Sequence, residues 1–425
     1  MFLPTQGYHP LQADSPAVNA GNPAFCPSMD QRGVVRVGSC DIGAYEFTIP
    51  GVATNLSIVS GNEQRTAPNF VFPKPLLVAA LDNFGSPVPD VNITFNAPGT
   101  GASAVFSSNN TNSITTTTDE TGVASAPLLI ANSILGPFSV SAEANGTNPV
   151  SFALENMNWY VASTGNDSNN CATAKTPCLT INGAINKADS EGVILVANGI
   201  YSNSNYNYFG VISKSITIDG GWDTTFIARN GQTVIDGQNI HGGFIVQSGT
   251  TVTISNMTIQ NGQANSGAGI YNDGDLTLRN LTITNNQAQS EGGGIYQRSG
   301  NLNLENVTIS NNIAQSNGGG IFVYSQSGMV NINNSTIHQN FVTASGSLLA
   351  IGGGISNLYN LALKVQNSII AGNGAEEAPD CYGQIISGGH NLVGLDVGCN
   401  ITPGVNDQIG TLSFPLECTV GQPAG

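Results

Sequence analysis

Short runs of alternating apolar and polar residues, split by Gly, Pro and Asn, fill most of this chain, the pattern of half-buried strands. Leu76 to Leu81, Val91 to Phe95 and Phe138 to Ala142 are clear examples, and such spacing predicts a β-sandwich over residues 50–156. From residue 157 the pattern repeats itself. A glycine-rich turn leading into isoleucine recurs at Gly267 to Ile270, Gly292 to Ile295, Gly318 to Ile321 and Gly352 to Ile355. In step with it, a strand headed by asparagine recurs at Asn256, Asn280, Asn306, Asn334 and Asn367, with separations of 24, 26, 28 and 33 residues. Removing the loops that grow along the series leaves a coil of about two dozen residues, too short for a strand, crossover helix and second strand. Each coil instead carries two-period runs such as Leu276 to Leu278 and Leu302 to Leu304. The prediction is a solenoid over 157–425: inward Ile, Leu and Val in apolar columns, Asn side chains in an amide ladder, and Gly at corners needing positive φ. On the order of ten coils, about 4.8 Å apart, would make a rod of roughly 50 Å.

Composition strengthens this all-β reading. Charged residues are only 9% of the chain while Gly alone occupies 52 of 425 positions, which suits turns and stacked coils better than charge-laced helices. The formal net charge is −16, with 11 Lys and Arg in total, so no basic cluster exists to neutralise nucleic-acid phosphates or anionic lipids. No apolar run reaches the length of about 18 residues needed to span a membrane as a helix. The start, Met1 to Thr5, lacks the regions of a signal peptide, so an exported protein would here be a mature form or a piece of a longer precursor. Six of the seven cysteines fall into local pairs, Cys26/Cys40, Cys171/Cys178 and Cys381/Cys399, with Cys418 left over. Without metal spacing, these predict short-loop disulfides in an oxidising, secreted or cell-surface setting, the alternative being reduced thiols; Cys418 would be free or bonded to another chain.

Residues 157–425 resemble the right-handed parallel β-helix repeats of bacterial surface proteins, including the polymorphic outer-membrane type. Trp159 to Asp167 is similar to their usual first strand, and Pro177 to Ile185, the one plausible helix, to a cap over the first coil. Residues 50–156 resemble a bacterial immunoglobulin-like domain of the invasin/intimin type through Asp82 to Val91 and Thr118 to Ala124; such domains are spacers and adhesive stalks. Residues 1–49, too short for a core of their own, are similar to the closing part of choice-of-anchor Q modules. Ser15 to Gly21, Asp30 to Gly33 and Cys40 to Glu46 carry that likeness, and Asp380 to Cys399 looks like the region just before it. The closing part therefore stands at the wrong end. Either the chain is a piece of a tandem array, or residues 1–47 complete the open end of a neighbouring subunit, head to tail, with Ser15, Pro16, Asp30, Arg32, Asp41 and Tyr45 as contact residues. The alternative is that 1–47 folds back on its own chain or stays loose.

Candidate chemistry is sparse. β-Helices also include polysaccharide lyases and hydrolases, which gather carboxylates with a base on one face. Asp219, Asp223 and Asp236, with Arg229 and Lys214, are the nearest such group, but Asp219-Gly220 and Asp236-Gly237 read better as turns. Asp273 and Asp275 vaguely resemble a calcium loop, so weak Ca²⁺ binding is allowed, though a turn fits better; the terminal Glu of the EF-hand pattern is missing. His9, His241, His338 and His390 are scattered. Tyr201, Tyr206, Tyr208 and Phe209 could form a sugar-stacking patch or a plain loop, and the Asn-x-Thr triplets at Asn256 and Asn280 read as ladder positions rather than glycosylation acceptors. The expectation is a non-enzymatic extracellular structural or adhesive protein with no cofactor, partnered by copies of itself, other surface proteins or glycans. The rival is a β-helix that binds or cleaves polysaccharide.

Overall fold

The computed structural model describes residues 11–12, 14–31, 36, 39–47, 51–83, 85–202, 207–324, 327–343, 350–359 and 361–416. It divides into two compact units, Met1–Met157 and Asn158–Gly425.

In the first unit, alternation produces the expected sandwich. The strands Asn55–Ser60, Leu77–Leu81 and Val123–Ser125 form one antiparallel sheet. A second sheet runs in the order Gln64–Thr66, Val150–Asn156, Gly136–Glu143, Asn92–Asn96 and Ser113–Thr117, with only its first pair parallel. The inward residues Phe72, Ile93, Phe95, Phe106, Val140 and Phe152 are fully buried, and their rings meet edge to face or tilted, Phe72 on Phe138 at 5.9 Å and Phe95 on Phe106 at 6.5 Å. Asp119 turns the corner at Thr118 to Ala124 by accepting from the N–H groups of Thr121 (2.9 Å) and Val123 (3.1 Å). The residues before the sandwich are held by a disulfide, Cys26–Cys40, and by a nearly buried ion pair, Arg36 to Glu46 at 2.7 Å.

The second unit is a parallel β-helix. Strands two dozen or more residues apart lie side by side in register, so chemically similar positions stack. One inward column reads Ile194, Ile218, Ile254, Leu278, Leu304, Ile332 and Val365, a second pairs Met257 with Leu281, and a third reads Ile259, Ile283, Ile309, Ile337 and Ile370. These side chains are almost entirely removed from water. The outward column beside the first, Val193, Thr217, Thr253, Thr277, Asn303, Asn331, Lys364, Ile386 and Thr402, crosses nine strands, roughly 40 Å of stack. The coil start is covered as expected: the helix Ile181–Lys187 buries Ile181, Ala184 and Ile185, and Thr180 caps it by accepting from the Gly183 N–H at 2.9 Å. The Cys171–Cys178 disulfide lies in the segment leading into this helix.

The recurrent Asn and Gly have distinct jobs. Asn256, Asn280, Asn306, Asn334 and Asn367 all have φ between 48° and 57°, the left-handed region that asparagine tolerates. The first glycine of each turn also needs positive φ, but the third is required by crowding: a Cβ on Gly294 would sit 2.6 Å from the carbonyl oxygen of Gly320 in the next coil.

Candidate functional site

The strand Ile216–Trp222 carries Asp219 into a buried position where both carboxylate oxygens are occupied. One accepts from Ser255 Oγ at 2.7 Å and Asn256 Nδ2 at 2.6 Å; the other accepts from Trp222 Nε1 at 2.9 Å and from Arg229 Nη2. Arg229 lies across the Trp222 ring, 4.7 Å from its centre. Asp223 faces solvent and organises its own loop, accepting from the N–H groups of Thr225 and Ile227 and from the Thr225 hydroxyl, whose bond holds its carboxyl below the usual range. Asp236 accepts from Gln238 N, Gln260 Nε2 and Asn261 Nδ2, each at 3.0 Å; burial pushes its carboxyl up, but these bonds outweigh that and hold it low. Lys214 Nζ donates to the Ala188 carbonyl at 2.7 Å. The shallow groove beside Arg229, about 400 Å³, is lined by Gln232, Asn256, Met257, Thr258 and their neighbours and by no carboxylate. The carboxylates singled out by sequence are thus spent separately.

Asp219 closes a row of side-chain amides. Asn256 Nδ2 bonds Asp219, Asn280 Nδ2 bonds Asn256 Oδ1 at 3.0 Å, and Asn306 Nδ2 bonds Asn280 Oδ1 at 3.3 Å, which makes the predicted surface ladder over its first three members; Asn367 Nδ2 instead reaches Asn333 Oδ1 at 3.5 Å. A second ladder, absent from the sequence reading, runs through the interior. Asn286, Asn312 and Asn340 each donate backbone N–H and Nδ2–H to the Oδ1 of the next member, and Asn373 donates the same pair to Asp380 Oδ1, all at 2.8–3.0 Å. A third row, Ser335, Ser368 and Asn391, ends on Asp407.

The remaining predicted residues stay apart. Asp273 pairs with Arg298 at 2.8 Å, whereas Asp275 accepts from Asn301 N and Nδ2 at 2.9 and 2.7 Å. Among the described residues no three His, Cys, Asp or Glu side chains come together as a metal-holding group. His241 packs edge-on against Phe209, His338 Nδ1 is 2.7 Å from the Ala371 carbonyl, and His390 Nε2 is 3.0 Å from Asn406 Nδ2; His9 lies outside the described residues. Tyr201 donates its hydroxyl to the Ala197 carbonyl at 2.9 Å, burial pushes that phenol up, and with Phe209 it lines a cleft of about 280 Å³ beside Thr180 and Lys187. Tyr206 lies outside the described residues, as do Arg32 and Cys418. The three other cysteine pairs are disulfides, which fits an oxidising environment. Of the residues proposed for self-assembly, Asp30, Asp41 and Tyr45 are buried within the described structure, where Asp41 accepts from Asn19 N at 2.6 Å and Asp30 from Glu46 N at 3.0 Å; Ser15 is half-buried and Pro16 exposed.

A further cluster escaped the sequence reading. Register aligns Ile245, Tyr271, Tyr296 and Phe322 in one column, in which Phe322 is buried and the other three are half-buried. Two residues further along, Gln247, Asp273, Arg298 and Tyr324 fall at the matching corner. Tyr271 and Tyr296 stack at 5.0 Å with planes 8° apart, Tyr296 meets Tyr324 at 6.2 Å, and Tyr324 meets Tyr359 edge to face at 5.1 Å. Burial pushes the Tyr296 phenol up to about 12. The signal was present: an aromatic follows Gly269-Ile270, Gly294-Ile295 and Gly320-Ile321.

Comparison with known proteins agrees with the coil geometry. Residues 198–389 match the family model described as right handed beta helix region. The solved structure titled "Crystal structure of pectate lyase Pel9A" aligns over 60% of this chain and 73% of its own, with 18% identity and a TM-score of 0.33. No curated protein matches. The stacked strands and the family match together make residues 198–389 a right-handed β-helix region.

Proposed function

We propose that this is a non-catalytic extracellular protein, a β-helix rod with an immunoglobulin-like spacer, that works by adhesion and structural display. The observation that carries this reading is the use of Asp219: four donors saturate the carboxylate nearest to a catalytic grouping, leaving it no lone pair for proton transfer. The three disulfides support placement outside the cell. Head-to-tail assembly through residues 1–47 belongs to the same proposal. The strands Cys399–Thr402 and Gln408–Ile409 pair on one side only among the described residues, which leaves an edge able to accept another strand. Phe25, Met29 and Ile42 are exposed apolar residues in the segment that would meet it.

The test is incubation of the intact protein with acidic and neutral polysaccharides, with and without Ca²⁺, followed by ultraviolet absorbance for unsaturated ends and by a reducing-end assay. No product is expected. Product formed by this protein and abolished in Asp219→Asn would establish the rival, a polysaccharide-cleaving β-helix. Sedimentation velocity over a concentration series reads the assembly, with a ladder of oligomers expected and a single monomer species contradicting it.

A further inference from the structure

The strip formed by Tyr271, Tyr296, Tyr324 and Tyr359, with Phe322 buried beneath it, is not a plain apolar face. Its rings carry phenolic hydroxyls, and beside it Ser248, Asp273, Arg298, Ser299 and Tyr324 surround an open cleft of about 350 Å³. Tyr324 and Tyr359 are 42% and 43% exposed, and their planes meet at 82°, so the corner they form offers one ring face and one ring edge to a ligand. Exposed charge in the strip is a matched pair, Arg298 with Asp273.

We infer that this strip binds a neutral polysaccharide chain lying along the stacked coils. Three observations select that occupant. A sugar ring presents a face of C–H groups and a rim of hydroxyls, which an aromatic column flanked by serines, a carboxylate and a guanidinium satisfies together. Tyr271, Tyr296, Tyr324 and Tyr359 place one accessible ring on each of four successive coils, so the site is linear and suits a linear polymer. The strip has no surplus positive charge on a protein of net charge −16, which disfavours a polyuronate or other anionic chain. The inference rests on the binding-rod reading and names its ligand.

Affinity electrophoresis through gels containing a neutral β-glucan, mannan, xylan or polygalacturonate tests it, using the intact protein, Tyr324→Ala, Tyr296→Ala and a control, Thr277→Ala, on another face. At least one neutral gel is expected to retard the intact protein and the control. Both tyrosine variants should bind at least tenfold more weakly while keeping the same thermal transition and disulfide content. No retardation in any neutral gel, equal retardation of all variants, or strongest retardation by polygalacturonate would overturn the inference. So would concentration-dependent self-association that Tyr324→Ala abolishes, because the strip would then be covered by a second copy. Cleavage of a retained glycan would defeat the non-catalytic reading while leaving the binding strip standing.

Discussion

Asp380 and Asp407 both end rows of donors, yet their carboxyls shift in opposite directions. At Asp380 burial is the largest influence and pushes the carboxyl above its ordinary range despite bonds from Asn373 and Leu395. At Asp407 burial also pushes upward, but bonds from Ser387, Asn391 and Gly404 outweigh it and hold the carboxyl low. The stabilisation tied to Asp380 is therefore fully present below the ordinary carboxylate range and is lost as pH rises through its raised value. That of Asp407 is present above the ordinary range and lost as pH falls through its lowered value. Asp407→Asn should lower stability near neutrality by about 1–3 kcal/mol, because an amide N–H would face donors, and should flatten the acid limb of the stability curve. Asp380→Asn should instead remove the decline on the alkaline side of that range. Thermal unfolding from about pH 3 to about pH 7 compares them; curves parallel to the parent protein in both variants would contradict the assignment.

Among elements, the interior amide ladder separates two kinds of asparagine that the sequence shows side by side. In Asn285-Asn286 and Asn311-Asn312 the first residue makes the left-handed turn and the second points inward. Asn340→Ala should cost about 3 kcal/mol or more, since it strands the buried N–H and Nδ2–H of Asn312 and the Ile309 carbonyl. Asn280→Gly, at an exposed left-handed position, should change stability by less than about 0.5 kcal/mol. Chemical denaturation of the two variants checks the contrast, and equal costs would show that the interior ladder contributes no more than the surface one. The strands themselves were legible because alternation and the recurring Gly-Ile turn are local signals. The interior ladder was not, because each amide meets its partner 26 to 33 residues away, at a distance set by loops of changing length. The aromatic strip was legible only in part: the ring after each Gly-Ile turn is a local signal, but that Tyr271 and Tyr296 stack follows only from the pairing of their coils.

For the whole molecule, the disulfides fix opposite parts of the β-helix unit. In the chain-entropy model, closing the seven-residue separation of Cys171–Cys178 contributes about 2 kcal/mol and the 18-residue separation of Cys381–Cys399 about 3 kcal/mol. Paired Cys→Ser variants should lose stability in that order, with hydrogen exchange rising around residues 160–187 in the first and 381–402 in the second; a uniform rise in both would show that the unit opens as a whole. The turn role read for Asp236 is met by its bond from Gln238 N, whereas the place of Asp219 at a ladder end was not legible, since turn, ladder end and catalytic group share one letter and differ only in who donates to them. The interior ladder also has a direction. Within the row every amide donates to the member on its C-terminal side, with its second Nδ2 hydrogen given to a carbonyl of the preceding coil. The dipoles of the row's own bonds therefore add and it ends electropositive, where Asp380 supplies an anion-capable acceptor. An extra coil could be spliced between Asn286 and Asn373 without disturbing this polarity, whereas one added beyond Asp380 would meet an acceptor where it needs a donor. Asp380 thus acts as a stop signal for this one thread, while the coils themselves run on past it to Cys399–Thr402 and Gln408–Ile409.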